Sequence, residues 1–468
     1  MSTQPASLGP NDVILRAEAL RKNLSAGFRD ETVKSIYGEA ERIARRAVQS
    51  KDERHLDLDQ RIDWLVTSPI FGLPIMLLML AIVFWITITF ANIPSQMLST
   101  ALFWIGDQGE ALFNAVGIPW WITSFIWNGV YLAMAWVVAV MLPPMAIFFP
   151  LFTFLEDLGY LPRVAFNLDY LFKKAGAHGK QSLSMTMGFG CNAAGVIATR
   201  VIDSPRERLI AILTNNFVPC NGRFPTLVML GTVFVAASFP PAYTSLIASA
   251  SVLVIVLIGI AFTLGVSRVL SRTVLKGEAS AFTLELPPYR RPNFSRILYT
   301  SLIDRTIFVL WRAVQTAAPA GAAIWLLGNI TIQGTSLATY FSNFLNPLGV
   351  LIGLNGVILL AYIVAIPANE IVVPTILMIY LGTGMMTDVN SVADLQSVLV
   401  GQFGWTMLTA VNLMLFSLLH NPCATTIMTI RKETGSRKWA TFGALMPLSL
   451  AFIVTFITAS IARLMGWA

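Results

Sequence analysis

The sequence predicts an all-α polytopic membrane protein: inverted repeats with broken or re-entrant helices, preceded by a cytoplasmic N-terminal helix. Three observations carry this. Of 468 residues, 55% are hydrophobic and only 12% charged, and apolar runs long enough to cross a hydrocarbon core of roughly 30 Å recur along most of the chain. The +7 formal charge is distributed in blocks, with no Lys or Arg between Arg61 and Arg163, Arg223 and Arg268, or Arg312 and Arg431. Each of the three cysteines also sits at an interrupted apolar helix, in Gly188-Phe189-Gly190-Cys191-Asn192, Val218-Pro219-Cys220-Asn221-Gly222 and His420-Asn421-Pro422-Cys423. An odd count of thiols within apolar segments argues against a disulfide framework.

The positive-inside rule places the basic blocks 16–61, 163–180, 200–208, 268–312 and 431–438 on the cytoplasmic side of the cell's inner membrane, and the N-terminus with them. No cleavable signal is expected, because the first sixty or so residues are polar. Residues 1–66 read as a cytoplasmic spacer. Within it, Val33, Ile36, Tyr37, Ala40, Ile43, Ala44 and Ala47 recur at helical spacing among charges, a solvated helix or a docking surface. Residues 67–128 hold a first span at about 69–91 and an outer-face amphipathic helix at 96–116. A first repeat occupies 129–270. Its opening span, about 129–158, should kink at Pro143-Pro144, and Glu156-Asp157 should cap it or pair with the Arg163 region.

The stretch 182–202 is too short to cross twice and is basic at both ends, so it should form a hairpin that turns at Gly188 to Asn192. Spans follow at 206–236, broken between Pro219 and Pro225, and at 242–267. A basic linker, 271–312, leads to a second repeat, 313–468, with spans near 314–332, 403–430 and 439–464. Between them, 350–382 has no basic flank and should enter from the opposite side, interrupted at Ile366-Pro367-Ala368-Asn369-Glu370. Each half thus supplies an Asn in a broken segment and then a Pro-Cys break in a full span, the pattern of an inverted-repeat transporter with a site at the membrane midplane.

The candidate ligands are Cys191, Cys220, Cys423, Glu370, Asn192 and Asn369. Thiols at helix breaks suit a soft or borderline metal ion, and oxygen donors keep the set from closing into a structural zinc trap. Glu370 is an ionisable group deep in an apolar segment, where charge is costly. The two Asn could equally tie down broken backbone, and His420 reads first as a satisfied polar residue. The abundant Met shows no cluster that belongs to the site. A metal in transit is a substrate, so no permanently bound cofactor is expected. Gly176-Ala177-His178-Gly179-Lys180-Gln181-Ser182 lacks the spacing of a phosphate loop. The chain is therefore not expected to be an enzyme, and any nucleotide must act through another protein. Nucleic-acid binding has no support.

One family matches an ordered series of motifs. Phe154-Leu155-Glu156-Asp157-Leu158-Gly159-Tyr160, Arg163-Val164-Ala165-Phe166, the Cys191 turn, Ala198-Thr199-Arg200 and Arg206-Glu207-Arg208-Leu209 resemble the membrane domain of the ferrous iron transporters, FeoB. Gly277-Glu278-Ala279-Ser280, Glu285-Leu286-Pro287 with Tyr289, Asn369-Glu370-Ile371-Val372-Val373 and Asn421-Pro422-Cys423 continue the series, over roughly residues 35–465. The resemblance implies two Gate domains around an Fe(II) pathway. It also implies a GTPase, which in the usual members precedes a helical spacer; here the sequence starts near that spacer, implying a separate small GTPase on the cytoplasmic face or a paralogue working without one. The chain departs from the family pattern at the site: Ala193-Ala194-Gly195 follow Asn192 in place of an early proline, Pro219-Cys220-Asn221-Gly222-Arg223 replaces Ser-Cys-Gly-Ala-Arg, and Asn369 stands where Lys is usual. A Gate-type carrier of a nucleoside or other solute and a non-transporting anchor for a GTPase are the alternatives. The bilayer is the one certain partner, and a homo-oligomer is compatible with the sequence.

Overall fold

Backbone amides and carbonyls inside an apolar sequence have no water to bond, so the chain satisfies them internally and is helical almost throughout. The computed structural model describes residues 28–47, 53–68, 70–240, 243–277, 289–387 and 392–466. Of the sequence features above, residues 13–27, 278–280 and 285–287 lie outside that range. Helices α1 (Phe28–Ala47) and α2 (Glu53–Val66) precede the apolar part, and Ile36, Tyr37 and Ile43 on α1 are exposed.

Among the described residues five helices are long and apolar enough to cross a membrane, and the chain is a multi-pass membrane protein. The first is α3 (Gly72–Ala115), 44 residues in one piece. The sequence suggested a span and a separate amphipathic helix divided near Pro94, but Pro94 lies inside the continuous helix. Proline removes one amide, while a break would orphan several. The far half of α3 is also held against α4 (Trp120–Leu158) by Tyr131 Oη donating to the Leu102 carbonyl at 2.9 Å and Asn128 Nδ2 donating to Glu110 at 3.2 Å. Helix α4 stays helical through Pro143, Pro144 and Pro150. It supplies much of the core, with Ala133, Val137, Met145 and Phe149 fully buried and Phe148 stacked on Phe152.

Helix α5 (Tyr160–Lys174) follows. Its Arg163 forms a two-bond fork with Asp63 of α2, at 2.9 and 3.1 Å. It also donates to the Gly159 carbonyl and lies over the Tyr289 ring. Sequence spacing could not connect residues a hundred positions apart. This buried fork joins α2 to the membrane helices.

The expected hairpin is α6 (Gln181–Gly190) and α7 (Asn192–Ala198), joined by the extended residue Cys191. Its legs lie so close that a Cβ on Gly195 would come within 2.8 Å of the Ser184 carbonyl. Its open end is tied by Lys180 Nζ, which donates to the Val201 carbonyl at 3.1 Å and to Asp203 at 3.0 Å. Helices α8 (Pro205–Thr214) and α9 (Phe224–Val235) form the broken segment that follows, and the long apolar helix α10 (Thr244–Arg272) comes after it.

Further along the chain is α11 (Phe308–Asn329), which is less apolar than the five spans. A two-residue β-hairpin, Thr331–Ile332 with Thr335–Ser336, is the small exception to the all-helical expectation. Its turn residues Gln333 and Gly334 both have positive φ, the geometry of a tight hairpin turn. Helices α12 (Leu337–Leu351) and α13 (Gly356–Val364) meet at 111°. Helix α13 then folds back through Ala365 to Ala368 into α14 (Asn369–Leu381). Asn355 and Tyr380 hydrogen-bond across the open end of this second hairpin. Helices α15 (Met407–Leu419) and α16 (Ala424–Thr434) form the second broken span, the most deeply enclosed of the five, and α17 (Arg437–Leu464) closes the chain.

Candidate metal pathway

The two hairpin tips have nearly the same backbone. Cys191 (φ −155°, ψ 126°) and Ala368 (φ −150°, ψ 114°) are each one extended residue ahead of an Asn that starts a new helical turn. Each tip is bonded by the Pro-Cys break of its own repeat. The amide of Asn221, just after Cys220, donates to the Gly190 carbonyl at 3.3 Å, and the amide of Ala424, just after Cys423, donates to the Ile366 carbonyl at 2.9 Å. The recurrence of both conformation and bonding makes the two halves structural repeats.

A cavity of about 30 Å³ lies where these breaks converge, and Cys191, Cys220, Cys423, Glu370, Asn192 and Asn369 all line it. The structure therefore brings together all six residues singled out from sequence. Met141 and Val309 complete its apolar wall. The space suits one ion or about two waters. Among the described residues, no three His, Cys, Asp or Glu side chains converge closely enough to hold a metal ion as they stand, so the donors surround the space without closing on it.

Close packing sets where Glu370 lies. Gly222 abuts it so tightly that a Cβ there would overlap Oε1 and sit 2.7 Å from Cδ. The absence of a side chain at 222 lets the carboxyl of one repeat reach the break of the other. His420 is satisfied as anticipated: Nδ1 is 2.9 Å from the Ser417 carbonyl and Nε2 is 3.3 Å from the Asn369 carboxamide.

Sequence reasoning missed the group that binds the two Pro-Cys breaks together. Arg223 is 1% exposed, and its guanidinium donates to the carbonyls of Asn216 and Leu418, both at 2.8 Å, and of His420 and Asn421 at 3.3 and 3.4 Å. It also donates to Asn216 Oδ1 at 3.1 Å, while Asn216 Nδ2 donates to the His420 carbonyl at 2.7 Å. An ionisable residue within an apolar span was the available signal. A fixed positive charge bonded to carbonyls of both repeats keeps the four breaks in register.

Away from the cavity, at the basic end of the helices, Glu433 accepts from Arg200 at 2.6 and 2.9 Å and from Arg208 at 2.9 Å. Helices α7 and α16 start at Cys191 and Cys423 and pack against each other, so this pair bridges their far ends. Nearby, Lys180 holds the Asp203 carboxyl below the usual carboxylate range.

Broken-helix repeats around a thiol-lined space define a polytopic membrane protein of the Gate type. A family model described as Gate, nucleoside recognition, matches residues 138–234 and 310–437, and one described as ferrous iron transport protein B C terminus matches residues 252–304. Together these matches cover more than half of the chain, which belongs to the family of FeoB membrane domains. The chain is 29% identical to the Fe(2+) transporter FeoB of Staphylococcus aureus strain MSSA476, over 94% of this chain and 67% of that protein. It is 27% identical to the Campylobacter jejuni Fe(2+) transporter FeoB, over 89% of this chain and 67% of that protein. It is also 27% identical to a Porphyromonas gingivalis Fe(2+) transport protein A/Fe(2+) transporter FeoB fusion protein, over 86% of this chain and 51% of that protein. The chain thus spans between about half and two thirds of the length of these relatives. No solved structure matches it.

Proposed function

We propose that the chain carries ferrous iron across the inner membrane, along a path through the cavity between its two Gate repeats. The observation that carries this reading is the convergence of all three thiols, Glu370, Asn192 and Asn369 on one ion-sized space at the helix breaks. Mixed sulfur and oxygen donors that do not close on the cavity suit an ion that must bind and leave. The division into repeats at 129–270 and 313–468 is supported by the two Gate matches, although the FeoB C-terminal match runs across the boundary at 270. The basic blocks favour a cytoplasmic N-terminus. The exposed apolar residues of α1 suit contact with a GTPase, as the family implies. A cavity of about 30 Å³ is far too small for a nucleoside, which favours an ion over the organic-solute reading.

The test is uptake of radiolabelled Fe(II) under reducing conditions by liposomes containing the purified chain. The reading expects saturable uptake, competed by Mn(II), Zn(II) or Co(II), and abolished by Cys191→Ser, Cys220→Ser, Cys423→Ser or Glu370→Gln. Because thiols lose protons when they bind metal, uptake should weaken as pH falls. Uptake unchanged in all four variants would refute this assignment of the pathway.

A further inference from the structure

Two consecutive asparagines reach from one tight turn to the breaks of both repeats. Asn215 and Asn216 open the 3-10 turn Asn215–Phe217, just ahead of the Pro219 break, and each is 2% exposed. Burying a carboxamide is costly unless it is bonded, so what each amide holds is informative.

Asn215 acts on the first hairpin. Its Nδ2 donates to the carbonyl of Asn192, the residue after the tip thiol Cys191, at 3.1 Å. Glycines on both legs make room for it: a Cβ on Gly188 would stand 3.0 Å from Asn215 Oδ1, and one on Gly195 would stand 2.5 Å from Nδ2. The carboxamide is thus wedged against both legs beside the tip. Among the described residues Asn215 Oδ1 has no hydrogen-bond partner, so the buried side chain makes its one bond through the amide, to that tip.

Asn216 acts on the other repeat. The break at Pro422 diverts the Ala424 amide to the Ile366 carbonyl, and the His420 carbonyl loses the donor that a continuous helix would supply. Asn216 Nδ2 takes that place at 2.7 Å, while its Oδ1 accepts from Arg223 at 3.1 Å. Both ends of this carboxamide are therefore fixed. His420 leads into the break that ends at Cys423, from which α16 starts.

We infer that Asn215 and Asn216 are positioning residues that form one strut: one amide holds the carbonyl after Cys191, the other holds the carbonyl ahead of Cys423, and the turn between them sets the separation of two thiols on different repeats. The inference rests on the metal-pathway reading and says what keeps its donors at their spacing. An ion that uses both thiols depends on that spacing, since a ligand displaced by about 1 Å in a preorganised site commonly costs one to two orders of magnitude.

The test is anaerobic Cd(II) titration of the full purified chain in detergent, followed by the ultraviolet absorption of Cd(II)–thiolate bonds, which reports both affinity and the number of bound thiolates. Cd(II) is chosen because thiolates select soft ions. Asn215→Ala and Asn216→Ala should each raise the half-saturating Cd(II) concentration about tenfold and lower the absorption per bound ion. The same changes should cost less than about twofold in a Cys191→Ser or Cys423→Ser background, where the pair they space is already broken, and should keep their full cost in Cys220→Ser. Gly188→Ala, which crowds the Asn215 carboxamide without removing it, should give a smaller rise with the same dependence on background, and serves where an Asn variant does not fold. An equal cost in all three cysteine backgrounds would mean general loosening and overturn the inference, as would unchanged Cd(II) binding in both Asn variants. Wild-type protein with no Cd(II)–thiolate absorption would overturn the metal-pathway reading, and the inference with it.

Discussion

Replacing Gly222 by alanine separates the position of Glu370 from its chemistry. The added methyl would overlap Oε1 and lie 2.7 Å from Cδ, so the carboxyl must retreat by roughly 0.7 Å or more to restore ordinary contact at about 3.4 Å or beyond. The yielding group is the end of a flexible side chain, so the stability loss should fall at or below the low end of the overpacking range, about 1 kcal/mol. Function should suffer more, since a ligand group displaced by about 1 Å in a preorganised site commonly costs one to two orders of magnitude. Gly222→Ala should therefore melt within a few degrees of wild type in detergent, yet lose at least about tenfold in Fe(II) uptake at subsaturating metal. In the Glu370→Gln background the same glycine change should bring no further loss. Near-normal uptake by Gly222→Ala with an intact fold would refute the argument that the close approach of Gly222 fixes a Glu370 needed for the pathway.

Arg223→Met should be among the most damaging single changes. It leaves the carbonyls of Asn216, Leu418 and Asn421 without this donor, while that of His420 keeps Asn216 Nδ2, at about 1–3 kcal/mol for each one that finds no water, and should appear as a lost or strongly lowered thermal transition. Glu433→Gln removes the carboxylate shared by Arg200 and Arg208. Because both arginines are partly exposed, the expected loss is only about 1 kcal/mol, measured by thermal unfolding at low and high salt. The Lys180–Asp203 clasp should respond to pH. Asp203 is held below its ordinary value, so the clasp contributes fully above the usual carboxylate range and is lost as pH falls through the lowered value. Hydrogen exchange at the open end of the first hairpin should rise on acidification in wild type and be insensitive to it in Asp203→Asn.

The site was unusually legible in the sequence because the same residues that break helices also mark the ligands. Gly188, Gly190, Pro219, Pro367 and Pro422 locate the interruptions, and in an apolar segment an interruption must be lined by protein. The basic flanks at Lys180 and Arg200 identified the first hairpin as one that returns to its starting side, and the bond from Lys180 to Asp203 closes it there. What escaped was tertiary. Arg223 entered only as one end of an interval free of Lys and Arg and as part of the Cys220 motif, although its partners are carbonyls on both sides of the cavity, and Asp63 gave no hint of Arg163. The division of α3 between residues 91 and 96 failed because a break there would expose backbone that a continuous helix satisfies. Neighbouring α4 supplied the contacts that tipped that balance.

The two helices that leave the cavity at Cys191 and Cys423 end at Arg200 and Glu433, and this arrangement makes them a pair of callipers. Helix α16, with 11 residues, is about 16 Å long, so the thiols at one end and the ion pair at the other share a nearly rigid frame. On the proposed metal pathway, an ion drawing Cys191 and Cys423 together would favour the closed clamp, and carboxylates that captured Arg200 or Arg208 from outside would loosen the grip on the metal. Thermodynamic linkage makes the effects reciprocal: whatever factor such carboxylates take from metal affinity, the metal takes from theirs. A clamp at the basic face would then report whether the cavity is filled.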